Sequence, residues 1–241
     1  MSARQLILGD VEPEPRGARE TSRDPRIFAR RAFQARDFQS AVSSWTSQPE
    51  EPRCRADLIL LAYSLARIGD PRALDYIERL RDLRPLEADA ILALWFAVER
   101  QAEPARRQYL RVLRAARDDP WIHEALMLDL LQSATGLGRT RPELARELFD
   151  ALSEPFAAGL VNGPRLKTRI ALAVGESFER LCLEALEPIE PNPFWEREIL
   201  TKRADCYEHH GHPLAAKARK DLDRFLDAEP PPLFLTESDP W

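Results

Sequence analysis

The stretch AYSLARIGDPRALDYIERLRDLRP, residues 62–85, decides the fold of this chain. Its apolar residues recur every three or four positions on both sides of Gly69 and Asp70, which is the spacing of amphipathic helices. Glycine commonly ends a helix, and the proline at 71 can open the next one because a first helical turn leaves its N–H groups unused. The stretch therefore predicts an antiparallel helical hairpin that closes at Pro85.

A small residue recurs at the same place in successive predicted hairpins. Ala41, Ala73 and Ala105 are 32 residues apart, and each opens the apolar stripe of a helix. A bulky apolar residue follows four positions later on the same face, while the alanine lets a neighbouring helix approach closely. A period of this length indicates stacked hairpins that bury their apolar faces against one another. Five pairs, each followed by a proline, fit the pattern: Ala41 with Trp45, Ala73 with Ile77, Ala105 with Tyr109, Ala145 with Phe149, and Ala218 with Leu222.

This pattern resembles the tetratricopeptide repeat (TPR) family, whose unit is two antiparallel helices with Gly and Tyr in the first, Ala and Phe in the second, and a closing Pro. Residues 62–85 and 203–230 carry the resemblance best, whereas residues 156–192 fit it poorly. The second of these stretches contains the signature residues Ala204, Tyr207, Gly211 and Ala218. The resemblance implies an all-α, right-handed α-solenoid of about 5–6 antiparallel helical hairpins, a TPR-like superhelix. Another α-solenoid or an irregular helical domain remains an alternative.

Proline and glycine divide the chain into three parts. Residues 1–24 are interpreted as a flexible N-terminal arm, residues 25–228 as a TPR-like helical repeat domain, and residues 229–241 as a Pro-rich extended C-terminal tail. Two glycines predict the longest internal loop over residues 133–141. Helices are expected over residues 25–35, 37–47, 54–68, 71–83, 86–102, 104–117, 120–134, 142–153, 164–186 (or two helices with a break at Gly175), 194–210 and 213–227.

The composition is typical of a folded helical protein, with 44% hydrophobic and 31% charged residues. The net charge of −5 disfavours a polyanionic partner at long range. No apolar run is long enough to cross a bilayer or to form the apolar core of a signal peptide, so no membrane insertion is expected. The cysteines Cys54, Cys182 and Cys206 are odd in number and scattered, which argues against a disulfide framework. We therefore expect a cytoplasmic protein, and the excess of arginine over lysine is typical of a GC-rich bacterial genome.

Six residues that face the predicted groove of the first three hairpins are candidates for partner binding: Arg26, Arg30, Ile59, Tyr63, Ile91 and Trp95. In the TPR-like arrangement, the first helix of each hairpin lines the concave side. An aromatic side chain on a groove wall buries a large area at a small entropic cost. Packing between helices is favoured for Trp95. Tyr63 fits packing and partner binding equally, because a phenol can keep its hydroxyl in water.

A cluster of metal-ligand residue types lies near the end of the repeat: Cys206, His209, His210 and His212. Cys206 and His210 are one helical turn apart, which is a usable spacing for a transition metal. Gly211 and Pro213, however, place the histidines at a hairpin turn, where polar residues face solvent. The solvent-facing interpretation is preferred, and no metal or other cofactor is predicted.

Five arginines crowd the side of helix 104–117 that is opposite to its apolar stripe: Arg106, Arg107, Arg111, Arg114 and Arg117. Such a face can contact RNA or phosphate. More often it is solvated, and nearby acidic residues such as Glu103 and Asp118 dilute its field. Nucleic-acid binding is therefore the second interpretation.

The sequence predicts a non-catalytic adaptor or assembly scaffold that binds a partner protein or peptide on the concave face of the repeat, alone or within a larger complex. Two other classes remain open. One is an RNA-associated repeat protein that uses helix 104–117, and the other is an enzyme or metal protein that uses the histidine cluster. The chain contains no His-Glu-x-x-His, phosphate-binding glycine loop or Gly-x-Ser-x-Gly motif, so no enzymatic activity is predicted.

Overall fold

The computed structural model of the protein describes residues 24–52, 54–174 and 181–228. Within these ranges the chain forms twelve α-helices, two short 3-10 turns and no strand. The all-α class predicted from the sequence is therefore confirmed. The predicted arm and tail lie outside the described residues, except for Asp24, whose carboxylate accepts the Arg26 N–H at 2.9 Å and caps the first helix.

Contacts within the chain divide it into two compact units, the first ending at Arg100 and the second beginning at Gln101. The helices of the first unit are α1 (Pro25–Gln34), α2 (Phe38–Thr46), α3 (Arg55–Arg67), α4 (Ala73–Arg81) and α5 (Pro85–Val98). Those of the second unit are α6 (Ala102–Ala115), α7 (Glu124–Thr140), α8 (Pro142–Ala151), α9 (Asn162–Val174), α10 (Leu181–Leu186), α11 (Arg197–His209) and α12 (Ala215–Ala228).

Helix α3 is the centre of the first unit. It packs against α2 and α4, its neighbours in sequence, and also against α1 and α5. Every residue from position 57 to position 66 is buried, so the helix is covered around its whole circumference. A helix of this kind needs neighbours on several sides. The contacts of α1 with α3 and of α3 with α5 bring the first helices of successive hairpins side by side.

The recurring alanines lie at helix contacts, as the sequence predicts. Ala41, Ala73, Ala105 and Ala218 have no exposed surface, and Ala145 is 7% exposed. The bulky residue one turn after each alanine is buried as well. The small residue therefore allows close helix approach, and the bulky one fills the adjacent space.

The predicted hairpin turns at Gly69 and Gly211 are confirmed. Both residues have the left-handed backbone that glycine adopts at little cost, with φ of 72° and 59°. After α3, Asp70 donates its N–H to the Leu65 carbonyl at 2.9 Å and closes the helix end. Arg36 takes the same left-handed conformation after α1, with φ of 62°. A turn therefore forms there without the glycine that the repeat pattern requires.

The loop predicted over residues 133–141 is wrong, because α7 continues through both of its glycines to Thr140. A Cβ atom at Gly138 would collide with Leu172 of α9 and lie 3.3 Å from the Ala145 Cβ atom of α8. Because Gly138 has no side chain, α8 and α9 can pack closely against α7 at this position. A glycine that serves close packing carries the same sequence signal as one that ends a helix.

In the second unit, α7, α8 and α9 pack against one another, and α6 packs against α8. Helix α10 contacts α9 and α11, and α11 forms a hairpin with α12. Where the sequence predicts helix over residues 164–186, α9 ends at Val174 and α10 begins at Leu181, with residues 175–180 outside the described ranges. None of the described helices combines the length and the apolar character needed to cross a bilayer.

Replacing Ala73 with phenylalanine should destabilise the first unit, because a larger side chain at this fully buried position would force α4 away from its neighbours. We expect the free energy of unfolding, measured by urea denaturation, to fall by roughly 1–3 kcal/mol. Ala56→Phe is the matched control, since Ala56 is exposed on the first turn of α3 and should change stability by no more than about 0.5 kcal/mol. Equal losses in the two variants would contradict the helix register.

Asp37 should make the stability of the first unit fall in acid. Hydrogen bonds from the side chain and the backbone N–H of Ser40 lower the pKa of Asp37, which caps α2. The folded state therefore favours the carboxylate, and the stability that it contributes is lost as the pH falls below about 4. Asp37→Asn keeps a cap that does not titrate. Urea denaturation at pH 7 and at about pH 3 should show a smaller acid loss for Asp37→Asn than for the parent protein, and an equal loss would exclude this role.

Candidate functional site

The residues predicted to line a groove lie mostly inside the first unit. Ile59 and Ile91 are 5% and 0% exposed, and Tyr63 and Trp95 are 3% and 8% exposed. These four side chains pack within the unit and offer almost no surface to a partner. Packing of Trp95 agrees with the preferred interpretation, and the burial of Tyr63 favours packing among the two interpretations that the sequence left open there.

Tyr63 belongs to an aromatic cluster that joins α1, α2 and α3. Its ring meets Phe33 and Phe38 edge to face, with ring centres 5.6 and 5.3 Å apart. Such pairs stabilise a core beyond the area that they bury. The hydroxyl of Tyr63 is buried and has no hydrogen-bond partner among the described residues. The aromatic ring of Tyr63, and not its hydroxyl, therefore stabilises the packing of these three helices.

Arg26 and Arg30 are the two candidate residues that reach solvent. Arg26 forms an ion pair with Glu50 and lies over the Trp45 ring, 5.7 Å from its centre. Arg30 donates from Nη2 to Asp57 Oδ1 at 3.2 Å, and 55% of its side chain remains exposed. Both arginines already have partners in the fold, so a contact with another molecule would use only their exposed edges.

Buried carboxylates recur with the same 32-residue period. Asp57 of α3 and Asp89 of α5 are 5% and 3% exposed, and each accepts a hydrogen bond from an arginine. Arg30 is the donor to Asp57, and Arg81 donates to Asp89 at 2.7 Å. Each aspartate is buried while its arginine stays partly exposed, so removing the arginine would leave a buried charge without this partner. Sequence reasoning missed these acids, although their period is visible beside that of the alanines.

The outer face of α1 carries four exposed side chains at adjacent positions on the helix surface. Ile27 and Phe28 expose 37% and 46% of their area. Arg30 and Arg31 lie beside them, and the side chain of Arg31 has no hydrogen bond or ion pair within the described part of the chain. We call Ile27, Phe28, Arg30 and Arg31 the α1 face. It combines apolar anchors with positive charge.

The arginines of α6 differ in their partners. Arg106 forms a two-pronged ion pair with Glu147, and Arg117, just after the helix, donates to the Ala151 carbonyl at 2.8 Å. Arg107 and Arg114 face a shallow depression of about 580 Å³, lined also by Arg111, Leu110, Ala115 and Asp118. Only part of the predicted basic face is therefore available to an anion.

Two of the three cysteines form one disulfide, although their number and spacing argue against a disulfide framework. Cys182 of α10 and Cys206 of α11 form a disulfide with their Cα atoms 6.2 Å apart, and Cys54 is free and exposed. A separation of 24 residues hides this proximity from the sequence, because the approach of α10 to α11 creates it. A ring nitrogen of His210 lies within 4.8 Å of both sulfur atoms.

The other two histidines of the predicted cluster are arranged differently. His212 stacks on the Tyr207 ring with ring centres 4.3 Å apart, and its Nδ1 accepts the Leu214 N–H at 3.2 Å. His209 is exposed, and its ring meets His210 edge to face at 5.0 Å. The structure therefore brings Cys206 and His210 together, adds Cys182, and directs His212 to the hairpin turn.

A buried arginine that sequence reasoning missed holds α11 in place. Arg203 has no exposed surface and forms ion pairs with Glu190 and with Asp221 of α12, the latter at 2.9 Å. Tyr207 donates its hydroxyl to Glu190 at 3.0 Å. Burial, followed by the negative charge of Glu190, raises the pKa of Tyr207 to about 12. The hydroxyl is therefore a stable donor, and this network is structural.

Comparison with known proteins does not place the chain in a family. No family model, curated protein or solved structure matches it. The class defined by the fold is therefore an all-α protein of two helical units, described from its own contacts.

Substitutions at Tyr63 should separate the ring from the hydroxyl. Tyr63→Phe removes a buried hydroxyl that has no partner, so the free energy of unfolding should stay the same or rise by up to about 1 kcal/mol. Tyr63→Ala deletes the ring contacts and should lower it by about 3–5 kcal/mol. Urea denaturation measures both values. A clear loss in Tyr63→Phe would show that the hydroxyl has a partner.

Proposed function

We propose that the protein is a non-catalytic adaptor or assembly scaffold, built from TPR-like helical hairpins, that binds a partner protein or peptide alone or within a larger complex. The observation that supports this proposal best is the packing of α3 between α1 and α5 in the first unit. Residues 32 positions apart repeat their roles there, since Ile59 and Ile91 are both core residues and Asp57 and Asp89 both receive an arginine. Stacked hairpins present extended surfaces, and proteins use such surfaces for binding.

Four described carboxylates have a lowered pKa because of structural contacts. The carboxylates with a lowered pKa are explained by helix caps and ion pairs: Asp37 by Ser40, Asp70 by Arg72, Glu198 by Lys202 and Glu208 by Arg219. A general base would instead need a pKa near the working pH. These groups stay ionised at neutral pH and act as structural or surface charges.

The α1 face is the binding surface that we assign to this function. Its two exposed apolar side chains supply contact area, and Arg30 and Arg31 supply positive charge at the rim. Interfaces commonly combine an apolar centre with a polar rim and depend on a few bulky anchors. The matching partner is an amphipathic helix or peptide with bulky apolar side chains next to carboxylates.

Nucleic-acid binding through α6 is the second candidate, because the depression beside Arg107 and Arg114 would admit a phosphate group. The ion pairs of Arg106 with Glu147 and Glu103 reduce the positive charge of that helix, so the adaptor function is preferred.

We also propose a bacterial, cytoplasmic location. Thiol reductants of the cytoplasm would then be able to reduce the Cys182–Cys206 disulfide.

Phe28→Ala should weaken partner binding without destabilising the fold. Affinity purification with the full chain identifies the partner, and calorimetric titration then compares the variants. Losing an aromatic anchor should cost about 1–2 kcal/mol, which is a decrease of roughly 5- to 30-fold in affinity. Arg31→Glu should also weaken binding to an acidic partner. Leu83→Ala is the matched control, because Leu83 is 54% exposed in the same unit but lies outside the α1 face.

Unchanged affinity in both Phe28→Ala and Arg31→Glu would exclude the α1 face as the binding surface. If Arg107→Glu abolished binding in that case, the α6 surface would replace it. A captured ligand that proved to be RNA, bound with a strong dependence on salt, would favour the nucleic-acid function.

A further inference from the structure

The second unit holds a cluster of two sulfur atoms and one imidazole that the adaptor function does not use. Cys182 and Cys206 have no exposed surface, and His210 is half-buried beside them. One ligand atom from each residue lies within 4.8 Å of the other two. Helix α10 supplies the first cysteine, and one turn of α11 together with its C-cap supplies the other two residues. The cluster therefore depends on the packing of two helices.

The imidazole of His210 provides a second observation that indicates a bound ion. Its Nε2 atom is buried and has no hydrogen-bond partner among the described residues. A buried polar atom without a partner destabilises a fold, and such atoms are usually satisfied by protein, water or a bound ion. Thiolate and neutral imidazole are the ligands that zinc prefers.

We propose that Cys182, Cys206 and His210 form a redox-controlled zinc site. In the reduced protein, the two thiolates and His210 Nε2 bind one Zn²⁺ ion, and a water molecule takes the fourth position. In the oxidised protein, the disulfide removes both sulfur ligands and the ion is released. The structure shows the oxidised state of this site.

A transfer of two electrons and two protons converts one state of the site into the other. A dithiol reductant transfers two electrons and two protons to the disulfide, the S–S bond breaks, two thiols form, and the reductant becomes a disulfide. Zinc then displaces the two thiol protons and binds the thiolates. In the reverse direction, hydrogen peroxide accepts two electrons from the thiolates and, with two protons, becomes water as the S–S bond forms and Zn²⁺ leaves.

The backbone geometry suits both states. Sulfur atoms at 2.3 Å from a tetrahedral zinc ion are about 3.8 Å apart, against about 2 Å in a disulfide. The two Cα atoms are 6.2 Å apart, so rotation about the Cα–Cβ bonds can supply this difference while the helices stay in place. His210 is fixed relative to Cys206, because its backbone N–H donates to the Cys206 carbonyl at 3.1 Å.

The site lies in the second unit and does not depend on the α1 face or on its partner, so each proposal can fail without the other. His209 provides a matched control for His210. It is the adjacent histidine, but it is exposed, whereas His210 is half-buried and has a ring nitrogen within 4.8 Å of both sulfur atoms. Cys54 is exposed and remote from the cluster in sequence, so Cys54→Ser removes the remaining thiol.

The test uses the full chain carrying Cys54→Ser, with zinc alone as the probe. Protein reduced with a phosphine reductant under nitrogen and protein oxidised with peroxide are each incubated with zinc and dialysed. Metal content is measured by mass spectrometry, and affinity by competition with a chromophoric chelator. We expect one zinc ion per reduced chain and none per oxidised chain. His210→Ala should lower the zinc affinity of the reduced chain by at least about tenfold, whereas His209→Ala should leave it unchanged.

Cobalt substitution gives a second measurement that does not depend on stability. The reduced chain should show the thiolate-to-cobalt absorption of a tetrahedral site, and His210→Ala should alter this spectrum even where the variant remains folded by circular dichroism. Equal zinc binding before and after oxidation, equal affinities of His210→Ala and His209→Ala, or no zinc on the reduced chain would each overturn the proposal.

Discussion

The first unit depends on one steric constraint, which is that the fully buried side chain at the recurring helix contacts is no larger than a methyl group. Ala41 and Ala73 meet this constraint with no exposed surface at positions 32 residues apart. An amphipathic hairpin cannot bury its apolar face alone, so each one needs the hairpin beside it. The complete burial of the middle of α3 is the consequence. The stability of the first unit and the register of its helices both depend on this burial of each hairpin against the next.

Charge inside the unit restricts the packing further. Asp57 and Asp89 each accept a hydrogen bond from an arginine of an adjacent helix. Buried ion pairs contribute little net stability, but a helix shifted by one turn would leave their charges without partners. The buried aspartates therefore disfavour helix packing that is shifted by one turn, and the alanines allow the helices to pack closely in the observed register. The exposed residues include the α1 face, to which we assign the proposed binding function.

The helices and their contact residues could be predicted from the sequence because both arise from local periodicity. Ala73 and the turn at Gly69 follow from the spacing of apolar residues and from glycine's backbone freedom. The errors concern residues whose role is set by a distant neighbour. Gly138 continues a helix because Leu172 lies against it, and Cys182 pairs with a cysteine on another helix. For Tyr63 the sequence left packing and partner binding open, and the residue is buried because rings from two other helices cover it.

Native-state hydrogen exchange in the first unit tests most directly whether its hairpins depend on one another. Opening of α1 and α2 uncovers one side of α3, whereas exchange throughout α3 needs the loss of neighbours on both sides. We therefore expect the backbone amides of α3, including that of Ile59, to exchange most slowly in the unit, and those of α1 and α2 to exchange through an opening of lower free energy. Amides of α1 and α2 that exchange as slowly as those of α3 would contradict nearest-neighbour stacking.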